Sequence, residues 1–254
     1  MLTLKSSVTI SDGHIARKRF GQNFLHDPGV IARIIQAINP KPGDRIIEIG
    51  PGQAALTAPL IAKVGHVHAI EIDRDLAARL RERFTESELA ITEQDVLRAS
   101  FSGLANQLGG PLRVVGNLPY NISSPILFHL LESAEQIMDQ HLMLQKEVVD
   151  RMVAGHGSKI YGRLSVMLQA RYQMARCLTV PPGAFMPAPK VDSAVIRMVP
   201  LPVTAVRGCD WPIFAAVVAL AFSQRRKMLR KSLAAYAGML DWNALDIAPT
   251  QRAE

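Results

Sequence analysis

Cysteine is nearly absent: Cys177 and Cys209 are the only two thiols in 254 residues, and their spacing suits no metal. That excludes a disulfide framework and a cysteine–zinc site, and so sparse a usage fits a reducing compartment. Long apolar runs are also missing. The longest, Phe214 to Phe222, is far too short to span a bilayer. Met1 to Phe20 holds no apolar signal core, and Asp12 with the plain composition argues against a transit peptide. There is no internal repeat and no low-complexity segment. The expectation is a cytoplasmic protein without membrane attachment.

The hydrophobic share of 48% and charged share of 20% support a packed core. The length suits one α/β domain with a smaller appendage. A formal charge of +7 leans towards a polyanionic partner.

Residues 1–26 read as an arm. It carries the basic cluster Arg17, Lys18 and Arg19 and runs into Phe20-Gly21-Gln22-Asn23-Phe24-Leu25. Asp27-Pro28 supplies an N-cap and a first-turn proline, and Val30, Ile31, Ile34, Ile35 and Ile38 keep helical spacing. Strands are predicted over 45–49, 67–72, 89–92, from Val114 to the turn at Asn117, and over 141–145. Amphipathic segments separate the first three, Asp73 capping the second of those helices; a weaker helical stretch precedes the fourth strand, and a helix from Ser123 follows it. This alternation is a mostly parallel, doubly wound, Rossmann-like sheet. Tyr172 to Val180 and Ala194 to Val199 read as a hairpin around the proline-rich stretch 181–189, giving an antiparallel edge. From about Leu201 no strand follows. Asp210-Trp211-Pro212 starts one helix, 226–237 is expected to form another, and 201–254 reads as a small helical domain after a catalytic domain over 27–200.

Gly50-Pro51-Gly52, between a strand and a helix, lets backbone approach a ligand closely. Glu71 stands about twenty residues beyond Gly50 at the end of the second strand, where a carboxylate can accept from ribose hydroxyls. Asp95 follows the third strand and can accept from an adenine amine. Glu48 puts an acid inside the glycine motif, which suits an ammonium and a sulfonium better than a pyrophosphate. These residues favour S-adenosylmethionine over NAD, with solvated or capping carboxylates as the bland alternative. The fourth strand ends in Gly116-Asn117-Leu118-Pro119-Tyr120. An amide oxygen there can accept from the exocyclic amine of adenine, and a ring can stack on the base. The bland alternative is a strand-ending turn with an ordinary surface tyrosine. Phe185 is a candidate second stacking face, or else a hydrophobic anchor of its loop.

Phe20-Gly21-Gln22-Asn23-Phe24-Leu25, Glu48-Ile49-Gly50-Pro51-Gly52, Asn117-Leu118-Pro119-Tyr120, Lys159 to Val166 and Phe185-x-Pro-x-Pro-Lys190-Val191-Asp192-Ser193 occur in that order. Together they closely resemble the bacterial small-subunit rRNA adenine dimethyltransferase family over nearly the whole chain. The resemblance implies a class I methyltransferase that converts two adjacent adenosines, in the 3′-terminal hairpin loop of small-subunit rRNA, to N6,N6-dimethyladenosine. It also implies cofactor contacts from Asn23, Leu25, Gly50, Glu71, Asp95 and Asn117, and an assembling 30S particle as partner. A monomer is expected.

Arg225, Arg226, Lys227, Arg230 and Lys231 crowd five cations into a short span. On a helix, Arg226 with Arg230 and Lys227 with Lys231 would share a face suited to phosphates. Either this stretch and Arg17-Lys18-Arg19 grip RNA, or they are solvated surface. His66 and His68 alternate on a strand without a third ligand, so no metal is expected. Relatives of this family usually continue with further helix past Glu254, so a shortened helical domain is expected. Three rivals remain: a DNA adenine methyltransferase, a large-subunit rRNA methyltransferase of the antibiotic-resistance type, and an assembly factor for which methylation is secondary.

Overall fold

Buried strands alternating with amphipathic helices build one seven-stranded sheet in the computed structural model, which describes residues 22–202 and 210–254. Its strands are β2 (Ile46–Ile49), β3 (Val67–Glu71), β4 (Leu89–Glu93), β5 (Leu112–Asn117), β6 (Ile137–Gln145), β7 (Tyr172–Val180) and β9 (Ser193–Pro200). The spatial order is β4-β3-β2-β5-β6-β9-β7. The first five run parallel, and β9 pairs antiparallel with both β6 and β7. The order reverses between β2 and β5, so the loops leaving their carboxyl ends part and open a crevice.

Helices cover both faces. On one side α1 (Pro28–Ile38) and α2 (Thr57–Val64) pack Ile34, Ile38 and Leu60 onto Ile46, Val67 and Val115. On the other, α4 (Phe101–Leu108) and α5 (Ser123–Glu132) pack Phe101, Leu104, Ile126 and Leu130 onto Ile47, Val114 and Leu142. The caps read from sequence form: Asp27 accepts from Val30 N at 2.9 Å, and the Asp73 side chain accepts from Asp75 N at 3.1 Å to start α3 (Arg74–Arg83). Each such cap contributes about 1 kcal/mol.

Several boundaries differ from expectation. β6 starts at Ile137, ahead of the predicted His141, and β5 at Leu112, ahead of Val114. The added residues include Arg113, Asp139 and Gln140, polar groups that would ordinarily argue against a buried strand. Here they pair with one another or with Tyr172: Arg113 binds both Asp139 oxygens, and Gln140 Nε2 donates to Tyr172 Oη at 3.0 Å. Two short helices, α6 (Lys146–Met152) and α7 (Arg163–Gln169), bridge β6 to β7. A two-stranded ribbon, β1 (Phe24–Leu25) antiparallel to β8 (Phe185–Met186), ties the arm to the proline-rich loop.

The segment past residue 209 corrects another expectation. After α8 (Trp211–Ser223) the predicted helix over 226–237 is reduced to α9 (Leu229–Ser232) and a 3-10 turn, Ala234–Tyr236. Leu229 N donates to Gln251 O at 2.7 Å and Arg230 N to Pro249 O at 3.0 Å, so long-range carbonyls replace those one turn back. Among the described residues no helix is long and apolar enough to cross a membrane.

Candidate methyltransferase site

A cavity of about 290 Å³ opens at the carboxyl ends of β2 to β5, and Asn23, Leu25, Glu48, Gly50, Gly52, Glu71, Asp95 and Asn117 through Tyr120 all line it. Its floor is the glycine turn. Gly50 and Gly52 adopt φ of +64° and +57°, left-handed values costly for other residues. A Cβ on Gly52 would also lie 3.2 Å from the Phe24 ring, so the turn admits the arm by having no side chain.

Glu71, 5% exposed at the end of β3, accepts from Asp73 N at 2.9 Å and Gly52 N at 3.4 Å. Burial raises its carboxyl above the ordinary range, and the amides of Asp73, Gly52 and Ile72 oppose that shift. Asp95 spends Oδ1 on Leu97 N at 3.0 Å, capping a short turn at the cavity edge. Glu48 is buried within β2.

Asn117 ends β5. Its side-chain nitrogen donates to the Asn23 carbonyl at 2.9 Å, which fixes the amide and leaves Oδ1 as its acceptor end. The preceding Gly116 is required by packing, since a Cβ there would fall 2.7 Å from Ile49 O. Leu118 N closes the ladder on Met143 O at 3.0 Å, and Pro119 then turns the chain out of the sheet. The half-buried Tyr120 hydroxyl meets Ser193 Oγ at 2.6 Å, and burial raises the phenol's pKa. Ser193 closes the Phe185-to-Ser193 motif, to which the sequence reading gave no such role. That motif was the available signal for it.

Phe185 had two readings, a second stacking face or an anchor of its loop. It is 2% exposed, pairs with Leu25 in the ribbon and packs in the core below α1, away from the cavity lining. A ring so covered matches the loop-anchor reading, whereas stacking would need an open face. Gln22 and Phe24, absent from the sequence-derived site, line the cavity because the ribbon lays the arm across it.

Arg225, Arg226 and Lys227 lie in a turn, so the expected shared helical face does not form. With Lys159 and Arg252 they rim a separate depression whose one acid is Glu254. Arg225 Nε donates to Glu254 Oε2 at 2.5 Å, and its Nη2 to Ser158 O at 3.1 Å. Arg230 and Lys231 are exposed beyond that rim. Arg17, Lys18 and Arg19 lie outside the described residues. His66 binds Ser87 O and His68 binds Thr92 Oγ1, and no metal-holding cluster occurs among the described residues.

A model of the ribosomal RNA adenine dimethylase family matches residues 13–253. The chain belongs to that family. Ribosomal RNA small subunit methyltransferase A of Bordetella petrii is 57% identical over 241 residues, 95% of this chain and 90% of that protein. Among solved structures, a dimethyladenosine transferase from Plasmodium falciparum superposes with a TM-score of 0.74 at 26% identity, covering 89% of this chain and 83% of that one. The 23S rRNA methyltransferase ErmE gives 0.70 at 29% identity, covering 90% and 92%. As a ribosomal RNA adenine dimethylase the chain is a methyltransferase. The DNA-modifying alternative falls away.

Proposed function

We propose that the cavity holds S-adenosylmethionine and that Asn117–Tyr120 presents N6 of adenine to it, in two adjacent adenosines of the 3′-terminal hairpin loop of small-subunit rRNA. The titratable side chains lining the cavity are Glu48, Glu71, Asp95 and Tyr120, with no lysine, arginine or histidine among the described lining residues. A diphosphate would meet only acids there, whereas a ligand carrying an ammonium and a sulfonium is attracted. Glu71 would hold the ribose hydroxyls and Asp95 the adenine amine of the donor. When bound, S-adenosylmethionine supplies an electrophilic methyl on a cationic sulfur.

The observation that carries this reading is the tether of the Asn117 amide nitrogen to Asn23 O at 2.9 Å, which leaves the side-chain oxygen to accept. Adenine N6 is a poor nucleophile because its lone pair is delocalised into the ring. If Asn117 Oδ1 and the Leu118 carbonyl accept its two hydrogens, the nitrogen can pyramidalise, and Tyr120, held by Ser193, can stack on the flipped base. Positioning and electrostatics then suffice without a strong base. The similarity to Bordetella petrii small subunit methyltransferase A favours the small subunit over the large-subunit reaction named for ErmE. Labelled methyl transfer to isolated small subunits, large subunits and duplex DNA, followed by mapping of the modified nucleotide, tests the assignment. Label in large-subunit rRNA or in DNA would refute it.

Two further outcomes are expected. Glu71→Ala should weaken donor binding by about 1.5–3 kcal/mol, the worth of a charged hydrogen bond; unchanged affinity by calorimetry would remove Glu71 from the ribose site. Arg226→Glu with Lys227→Glu should lower affinity for small-subunit rRNA and reduce the log–log salt slope by about two, leaving donor affinity unchanged. An unaltered slope would make the basic depression ordinary solvated surface.

A further inference from the structure

We propose that Glu48 is a proton-exchanging counter-ion for the donor: partly protonated in the empty cavity, it ionises when a positively charged ligand enters. The inference rests on the S-adenosylmethionine reading above and adds a mechanism for selecting a cation. Glu48 is 2% exposed, yet it is one of the residues that line the cavity. Its Oε2 is buried and has no hydrogen-bond partner. A carboxylate in that position would lack both water and a neutralising charge, a costly arrangement.

The neighbours reinforce this. Glu71 on β3 is a second buried carboxyl on the same cavity, with Asp73 just beyond it. Asp95 after β4 and Tyr120 after β5 complete the titratable lining, and Thr57 on α2 offers only a hydroxyl. No cation faces Glu48 from the described cavity wall. Burial pushes its carboxyl up to about 7; the Thr57 hydroxyl opposes that shift and the Glu71 charge adds to it. An entering ammonium or sulfonium supplies the missing charge and lowers that value. The sign follows: binding of a cation expels the Glu48 proton, so donor affinity rises with pH through neutrality.

The test is calorimetric titration of the full chain with S-adenosylmethionine at pH 6, 7 and 8, in two buffers of different ionisation enthalpy. A group titrating near 7 should make the donor dissociation constant about tenfold smaller at pH 8 than at pH 6, with fractional proton release at pH 7. Adenosine, which carries no positive charge, should bind with a flat pH profile. Glu48→Gln, the isostere of the protonated form, should bind the donor more weakly at pH 8 and lose the slope. A flat donor profile in the parent, an equal slope for adenosine, or a slope surviving in Glu48→Gln would each overturn the proposal while leaving the donor assignment standing. Failure of S-adenosylmethionine to bind at any pH would remove the assignment and the proposal together.

Discussion

Replacing Asn117 with alanine should lower the rate of methyl transfer by about a hundredfold or more, the usual cost of deleting one preorganised polar contact at a reacting group. Donor affinity should stay mostly intact. The amide has two ends with separate duties: nitrogen to Asn23 O at 2.9 Å, oxygen towards the substrate amine. Alanine removes both, so Asn117→Asp is the informative companion. Aspartate keeps accepting oxygens but loses the donor that secures the arm, and should fall between parent and alanine. Single-turnover rates with saturating donor and small subunits measure the effect. Alanine rates within a fewfold of the parent would discard the clamp. An inactive Asn117→Ala protein that still supports subunit maturation would give weight to a separate assembly role.

The largest stability effect is expected on the opposite side of the sheet from this chemistry, at its amino end. Arg113 Nε and Nη2 bind the two Asp139 oxygens at 2.8 and 2.9 Å, Nη1 binds Asp44 at 2.5 Å, and Nη2 also reaches Ile38 O at 2.6 Å. The Arg113 and Asp139 side chains are 9% and 5% exposed. Arg113→Ala would strand a carboxylate between β5, β6 and α1, and should cost about 3–5 kcal/mol. Replacing both partners, as Arg113→Met with Asp139→Leu, should restore much of that loss, because the penalty lies in the orphaned charge. Denaturant midpoints of the three variants decide the matter. A single-variant loss well under 1 kcal/mol would mean that water or Arg197, 3.7 Å from Asp139, compensates the carboxylate.

Arg113 also marks where sequence patterning failed. The strand expectation begins β5 at Val114 and β6 at His141, which leaves out Arg113, Asp139 and Gln140. Their burial is allowed by partners distant in sequence, Asp139 with Arg113, Asp44 and the Ile38 carbonyl with Arg113, and Tyr172 with Gln140, which local periodicity cannot reveal. The same holds for the ribbon of Phe24–Leu25 with Phe185–Met186, each strand too short to carry a pattern. Phe185 had two readings in the sequence, and its pairing with Leu25 put the ring in the core. The helix expected over 226–237 was spoiled by carbonyls at Pro249 and Gln251, distant in sequence from the amides they receive.

The sequence by itself determined what stands at the ends of β2, β3, β4 and β5: the glycine turn, Glu71, Asp95 and Asn117–Tyr120. Strand-to-helix transitions are punctuated locally, and in this sheet order those ends converge whatever the details of packing. Only the tertiary structure decided how these groups face one another. The tether of Asn117 to Asn23, the hold of Ser193 on Tyr120, the burial of Glu48 near Glu71 and the inward turn of Phe185 all depend on segments far apart in the chain. A strand's period of two says which residues share a face, and long-range contacts decide which face is covered.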